Sequence, residues 1–287
     1  MTILVTGATG NIGGKVLARL HAAGHSVRAL TRDPARAQLP SGIEVVGADL
    51  GLPDTLPDAL DGVRKVFLMS LGHNKRTHDA NLVAVARKTG VEHIVQLSTL
   101  GVAEVEEEND TPLGLWHRQA EKALTESGLA WTILRPNGFM TVALGWADAA
   151  RGDGVVRSPV ADLPEALVDP QDIADVAVRA LTEPGHEGRT YALTGPEALT
   201  AREQVAVLGS VLGRKLRFEQ ISIEEHRAVM AGLYGEATAD GVVAALRKAL
   251  ESGDDFRGRL FPDVQGVLGR RARSFRDWVE AHTADFA

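Results

Sequence analysis

Thr2–Lys15 reads TILVTGATGNIGGK, an apolar run broken by a glycine cluster that leads into a helical pattern. Thr2–Thr6 (TILVT) has the character of a buried strand, and Ile12, Val16, Leu17 and Leu20 recur at helical spacing. A glycine turn between a strand and a helix suits phosphate. Missing side chains let an anion reach the backbone, while free N–H groups and the positive end of the helix offset its charge. A Walker-type P-loop needs glycine six residues before its lysine and Ser or Thr directly after it. Counting back from Lys15 reaches Thr9, and Val16 follows, so the cluster is not a P-loop. The usual dinucleotide pattern, G-x-G-x-x-G, is altered too: position 8 is alanine, and Gly7, Gly10 and Gly13 remain in a three-residue rhythm. The turn is expected to grip a dinucleotide's pyrophosphate through Gly7, Thr9, Gly10, Asn11, Ile12 and Gly13. The bland alternative is a tight turn without a ligand.

Outward from this turn, short apolar runs alternate with helical patterns. Ser26–Leu30, Ile43–Gly47, Lys65–Met69, His93–Leu97 and Ala130–Leu134 read as strands; Asp54–Leu60, Thr77–Thr89 and Trp116–Ser127 read as helices. Gly24, Gly90 and Gly128 fall where helices should stop. Strict alternation predicts an α/β fold, a Rossmann-type doubly wound parallel sheet with helices on both faces. After Arg135-Pro136 the rhythm changes to mostly helical segments, near Asp169–Leu181, Ala201–Leu212, Ile223–Ala231, Asp240–Leu250 and Ser274–His282, with a strand at Thr190–Leu193. Residues 1–135 are therefore expected to form the nucleotide-binding core. Residues 136–287 are expected to form a smaller, mainly helical substrate lobe, with some segments returning to the sheet. EVEEEND (Glu104–Asp110) reads as a charged, solvated loop.

The 287 residues carry a net charge of −7, which argues against a nucleic-acid surface. The chain has no cysteine, which removes disulfides, thiolate nucleophiles and Cys-type metal sites and fits a cytoplasmic protein. No secretory signal and no membrane span are visible. His73 and His78 lack a matching carboxylate motif, so no metal is expected.

TGATGNIGG resembles the signature of the extended and atypical short-chain dehydrogenase/reductases. Gly47-Ala48-Asp49-Leu50 resembles that family's acidic turn after the third strand, whose aspartate approaches adenine. Ser98-Thr99-Leu100-Gly101 resembles its loop after the fifth strand. Leu134-Arg135-Pro136 with Asn137-Gly138-Phe139, and Arg273–Trp278 (RSFRDW), resemble stretches of the NmrA-like subgroup. The likeness runs through nearly the whole chain and is nearer to that subgroup's quinone oxidoreductases and triphenylmethane reductases than to its sugar epimerases. It implies NAD(P)H binding.

The end of the second strand addresses the ribose 2′ position. NAD sites tend to place an acid there, NADP sites an arginine. Here Thr31, Arg32 and Asp33 follow one another, with Arg36 a turn later. Arg32 comes first, so NADP(H) is expected over NAD(H), with Arg32 binding the phosphate and Thr31 adding a hydroxyl. Arg32 and Asp33 as a surface pair, or Asp33 as a helix cap, would explain them without a ligand.

Most short-chain reductases place Tyr and Lys four residues apart on one helix face. Neither Tyr191 nor Tyr234 has that partner. The helix in the matching place carries His117, Glu121 and Lys122, and the quinone oxidoreductase branch resembles it there. Either Lys122 holds the nicotinamide ribose, or His117, oriented by Glu121, donates a proton near neutral pH. A solvated helix face is the plain alternative. Ser98 or Thr99 is expected to hydrogen-bond the substrate oxygen. Trp116, Asn137, Phe139, Met140, Trp146 and Tyr234 are the expected substrate contacts, suited to an apolar, flat molecule. The function expected is NADPH-dependent hydride transfer to a quinone-like or other conjugated apolar small molecule. The alternative is a non-catalytic NADP(H)-binding redox sensor acting through a protein partner, and a homodimer is the other association considered. Arg270, Arg271, Arg273 and Arg276 would serve such a partner, or form a solvated face.

Overall fold

The computed structural model describes residues 1–104, 112–252 and 256–287; the charged loop expected near Glu104–Asp110 falls, beyond Glu104, outside the described residues. In chain order the strands are β1 (Thr2–Val5), β2 (Ser26–Thr31), β3 (Glu44–Gly47), β4 (Val63–Leu68), β5 (His93–Leu97), β6 (Ala130–Pro136), β7 (Val155–Ser158), β8 (Arg189–Leu193) and β9 (Arg217–Gln220). The helices are α1 (Asn11–Ala22), α2 (Leu56–Leu60), α3 (Lys75–Ala86), α4 (Gly101–Glu104), α5 (Pro112–Thr125), α6 (Ala147–Arg151), α7 (Pro170–Thr182), α8 (Ala201–Leu212), α9 (Ile223–Tyr234), α10 (Glu236–Ser252), α11 (Asp263–Leu268) and α12 (Phe275–Ala281).

Contacts divide the chain into two compact units. The first comprises Met1–Pro136, Pro170–Leu193 and Asp263–Arg270. Its seven-stranded sheet has the order β3-β2-β1-β4-β5-β6-β8, and every neighbouring pair is parallel. This is the Rossmann-like α/β fold. Parallel strands covered on both faces need apolar side chains on both, and every residue of β5 is buried. One face is covered by α2, α3 and α5 around Leu4, Leu56, Leu60, Val66, Leu82, Ile94 and Leu124. α1 and α7 pack together, burying Ile12, Val16, Ile173 and Val176. The direction of strand order reverses between β1 and β4, and in such sheets ligands bind beyond the carboxyl ends of the strands at that reversal.

The second unit comprises Asn137–Asp169, Thr194–Pro262 and Arg271–Ala287. Its core gathers Met140, Leu208, Phe275, Trp278 and Phe286, with the Trp278 ring stacked on His282 at 4.3 Å. α8, α9 and α12 each begin with a capping box, from Thr200 with Glu203, Ser222 with Glu225 and Ser274 with Asp277. β7 and β9 pair in parallel as a separate two-stranded sheet. These four-residue strands carry too little alternation to be read from sequence.

The arginines near the carboxyl terminus are not a bare basic patch. Arg270 pairs with Asp172 and Asp175 in the first unit; in the second, Arg273 lies near Asp169 and Arg276 near Glu280. Neighbouring acids offset these charges. No helix among the described residues is long and apolar enough to cross a membrane.

Candidate functional site

The glycine turn is built from backbone. Gly7 has φ +60°, a left-handed conformation that side chains disfavour, and its carbonyl accepts from the Gly10 N–H at 2.9 Å. A Cβ on Gly13 would lie 2.2 Å from the Gly7 carbonyl oxygen and 2.8 Å from that of Thr6. Only glycine lets α1 start so close to the end of β1. Thr6 fixes that end: its hydroxyl donates to the Met69 carbonyl at 2.9 Å and accepts from the Met69 N–H at 2.7 Å. No side chain caps α1, and no acid stands in its first turn, in contrast to α8, α9 and α12. Its positive end is open to an external anion. Thr9, Gly10 and Asn11 are exposed, while Ile12 is buried and has only its backbone to offer. This bare cradle fits a dinucleotide pyrophosphate.

At the end of β2, Arg32 is exposed and has no ion pair or hydrogen bond among the described residues, so the suggested pair with Asp33 does not form. Asp33 makes no side-chain cap bond to the 3-10 turn Pro34–Arg36; its N–H donates to Thr31 Oγ1 at 3.3 Å. After β3, Asp49 Oδ1 accepts from the Gly51 N–H at 2.8 Å, and the Thr55 hydroxyl accepts from the Asp49 N–H at 3.0 Å. Asp49 therefore shapes this turn while staying half-buried. Leu50, expected at the cofactor, has its side chain in the core. That correction follows from burial.

The carboxyl end of β5 holds a side-chain network. Ser98 is buried, and its hydroxyl donates to Glu121 Oε1. Arg135 donates to the same carboxylate from Nε at 3.0 Å and Nη2 at 2.5 Å, a bidentate, charge-assisted pair. The Ser98 proton is thus committed to protein. Thr99, the next residue, is half-buried and has no hydrogen-bond partner for its hydroxyl among the described residues. The expectation of Ser98 as the donor to substrate is corrected by this geometry, which leaves Thr99.

Glu121 faces Ser98 and Arg135, so it does not orient His117. Burial, aided by the nearby Lys75 charge, lowers the His117 pKa from 6.5 to about 3, because desolvation disfavours the imidazolium. His117 is therefore uncharged at neutral pH and is not a proton donor there, and its Nδ1 is buried without a partner among the described residues. Lys122, the other expected catalytic group, stands 72% exposed and, among the described residues, approaches only Glu126, at 4.0 Å. One step along the helix from Glu121, it points to solvent.

Sequence reasoning missed a second network beside this one. Lys75, 1% exposed, donates to Asp79 Oδ2 at 2.9 Å and to the Leu97 carbonyl at 3.1 Å. Gln96 Nε2 donates to Asp79 Oδ2 at 2.7 Å, and the Ser70 hydroxyl donates to Oδ1. The available signal was the Lys75/Asp79 spacing of four on a helix whose inner face is otherwise apolar.

The remaining expected substrate contacts, except Trp116, lie in the second unit. Asn137 is buried, and its amide donates to the carbonyls of Ala166 at 3.3 Å and Arg257 at 2.6 Å. Met140 is 1% exposed within the core. Both act as internal braces, contrary to expectation. Phe139 and Trp146 are half-buried, and the Tyr234 side chain lies outside the described residues. Trp116, in the first unit, is half-buried and meets His73 edge-on at 6.3 Å. No group of three His, Cys, Asp or Glu among the described residues is placed to hold a metal.

Comparison with known proteins identifies the family. Residues 7–184 match the family described as NAD(P)H-binding. The chain is 43% identical over 286 residues to the (4-alkanoyl-5-oxo-2,5-dihydrofuran-3-yl)methyl phosphate reductase of Streptomyces griseus, covering 99% of each. It is 36% identical over 288 residues to the NAD(P)H azoreductase of Xenophilus azovorans, again covering 99% of each. Its fold superposes on the NADPH-dependent quinone oxidoreductase of Escherichia coli complexed with NADPH with a TM-score of 0.83, at 28% identity, covering 99% of this chain and 100% of that one. The chain belongs to the NAD(P)H-binding family, as an atypical short-chain dehydrogenase/reductase of the NmrA-like kind, and is an NAD(P)H-dependent oxidoreductase.

Proposed function

We propose that this oxidoreductase uses NADPH in preference to NADH to reduce a conjugated, electron-poor carbonyl compound, an enone or a quinone. The observation that carries the acceptor class is the pairing at the end of β5. Ser98, Glu121 and Arg135 satisfy one another, and His117 is held uncharged. Neither Ser98 nor His117 is therefore available as an acid near neutral pH. A simple ketone needs a proton as the hydride arrives. An enone or quinone does not: hydride adds at one end of the conjugated system, the electron pair moves to the carbonyl oxygen, and the resulting enolate or phenolate takes its proton from water.

Bound cofactor supplies the hydride, and the chain supplies position and electrostatics. The turn of Gly7, Thr9, Gly10, Asn11 and Gly13 would hold the pyrophosphate, Asp49 the adenine end and Arg32 with Thr31 the 2′-phosphate. The Thr99 hydroxyl would donate to the acceptor oxygen. The substrates named for the dihydrofuran reductase and the quinone oxidoreductase are conjugated acceptors and support this class.

The test is NADPH oxidation against a panel of quinones, butenolide-type enones, azo dyes and simple ketones. Turnover confined to the conjugated acceptors is expected; equal turnover of simple ketones refutes the acceptor class. Cofactor binding with no turnover on any acceptor would leave a redox sensor in its place. For the cofactor, Arg32→Ala is expected to weaken NADPH by about 1.5–3 kcal/mol relative to NADH, the range for hydrogen bonds to charged groups, as measured by the two dissociation constants.

A further inference from the structure

The buried Lys75–Asp79 pair reaches the groups just described only through the Lys75 charge near His117. It ties the end of β4 (through Ser70), the first and second turns of α3, and β5 (through Gln96 and the Leu97 carbonyl) into one junction. Between Ser70 and Lys75 the chain makes a short loop that carries Leu71, 72% exposed, and the exposed His73. Across from it on α5, Trp116 meets the His73 ring at 6.3 Å, and one turn earlier Leu113 is 51% exposed. Leu71 is two residues from His73 and Leu113 one helical turn from Trp116, so these exposed apolar groups adjoin the His73–Trp116 contact rather than standing singly. The loop follows β4, so the place is at the carboxyl end of the sheet, the same end as the glycine turn, where ligands bind in such sheets.

We propose that Leu71, His73, Leu113 and Trp116 form a rim that receives an apolar arm, alkyl or aryl, attached to the conjugated acceptor, and that Lys75 is the positioning residue that holds the rim in place. This rests on the reductase function proposed above and narrows its substrate to acceptors with such an arm. A buried ion pair is a poor way to gain stability but fixes geometry, because both charges must keep all their partners. Here the partners come from β4, α3 and β5. Moving the loop would strand a buried ammonium or carboxylate. The rim is therefore rigid on the loop side, and it selects by shape.

The experiment compares 1,4-benzoquinone with a 2-alkyl-1,4-naphthoquinone as acceptors, for the wild type, for Leu71→Ser/Trp116→Ala and for Lys75→Met/Asp79→Leu. The second double variant removes both charges together, so that neither is left buried alone. The ratio of kcat/KM for the armed over the compact quinone is expected to fall about tenfold or more in both variants, the scale of losing apolar contact to a substrate group. The dissociation constant for NADPH is expected to stay unchanged. Binding of the unreactive 2-hexylnaphthalene relative to naphthalene, followed by ligand fluorescence, gives the same comparison without turnover and should fall in parallel. An unchanged ratio in Leu71→Ser/Trp116→Ala overturns the rim, and an unchanged ratio in Lys75→Met/Asp79→Leu overturns the positioning role. No wild-type turnover of either quinone, with the binding preference present and lost in the variants, fails the reductase function alone.

Discussion

The glycine turn and the network at the end of β5 lie at the same end of one sheet and are made by opposite means. In the turn, the working groups are backbone N–H groups and a helix end, and what matters about Gly7, Gly10 and Gly13 is the side chain they lack. Around Ser98, the working groups are the side chains of Glu121 and Arg135, with Lys75, Asp79 and Gln96 close behind, and almost every charge is answered by another. A grip made of backbone attracts an anion without a protonation state, so it works across a wide range of pH. A network that neutralises itself gives up acid catalysis and keeps geometry. On the function proposed above, the difference is what lets one end of a sheet hold a highly charged cofactor beside a place suited to an acceptor that needs no protein acid.

The harshest way to break this comparison is Gly13→Ala. The new methyl would sit 2.2 Å from a backbone oxygen, and backbone cannot rotate away as a side chain can. The cost should reach or exceed the upper end of the range for overpacking, about 3 kcal/mol. NADPH binding measured by titration should fall by about 100-fold or more, or the chain should fail to fold. Gly14→Ala is the control: its nearest contact is 3.2 Å from the Ala8 oxygen, and the folded protein should survive. Equal behaviour of the two variants would mean that close backbone approach is not what the turn requires.

Glu121→Ala attacks the other region. Glu121 is 6% exposed, and its removal leaves the Arg135 guanidinium and the Ser98 hydroxyl without their acceptor. Breaking one side of a buried pair costs about 3–5 kcal/mol, to be read from urea unfolding. Turnover should fall by about tenfold or more as the end of β5 loses its fixed place, while NADPH affinity stays near that of the wild type. A loss of cofactor binding equal to the loss of turnover would show that the two regions are not separate.

The same contrast governs what the sequence could tell. The turn is local: strand, glycines and helix lie within Thr2–Ala22, and their spacing carries the geometry. Parallel strands show as apolar runs because both faces are buried, which is why His93–Leu97 is found at its full length. The network at the end of β5 joins Ser98, Glu121 and Arg135, residues far apart in the chain that no spacing rule connects. Glu121 looked like a partner for His117 because they are one turn apart, yet the bidentate pull of Arg135, fourteen residues on, outweighs a helix-surface pair worth a few tenths of a kcal/mol. Lys122 looked catalytic by its neighbours, and only its direction from the helix shows otherwise.

Buried histidines sharpen the point about charge. His93, at the opposite end of β5, is 2% exposed, and burial with the nearby Lys65 charge lowers its pKa from 6.5 to about 4. His117 falls to about 3. Both are neutral when folded and take up a proton more readily when unfolded. Their contribution to stability is therefore complete above about pH 6.5 and is lost as pH falls toward the folded values. For His93 the loss is of order 3 kcal/mol between pH 6.5 and 4, given a shift to about 4. Unfolding free energy followed from pH 7 to 4 should drop accordingly, and His93→Gln should flatten the curve. Imidazole resonances of His93 and His117 that titrate near pH 6.5 in the folded protein would contradict their neutral burial.

The smallest effect is expected at Lys122. Its side chain is 72% exposed and its ion-pair contact with Glu126 is 4.0 Å long, a geometry worth at most about 0.5 kcal/mol on an exposed helix. Lys122→Ala should therefore leave unfolding free energy within about 0.5 kcal/mol of the wild type and leave both NADPH affinity and turnover essentially unchanged. This is a sharper test than it looks, because a lysine at this place on the helix is what a Tyr–Lys mechanism would need. If Lys122→Ala instead removed turnover while sparing stability, the lysine would have to leave solvent and reach the cofactor during the reaction. The self-neutralised network around Ser98 would then be a resting arrangement that opens, and the contrast with the rigid backbone grip would become one of motion as well as of chemistry.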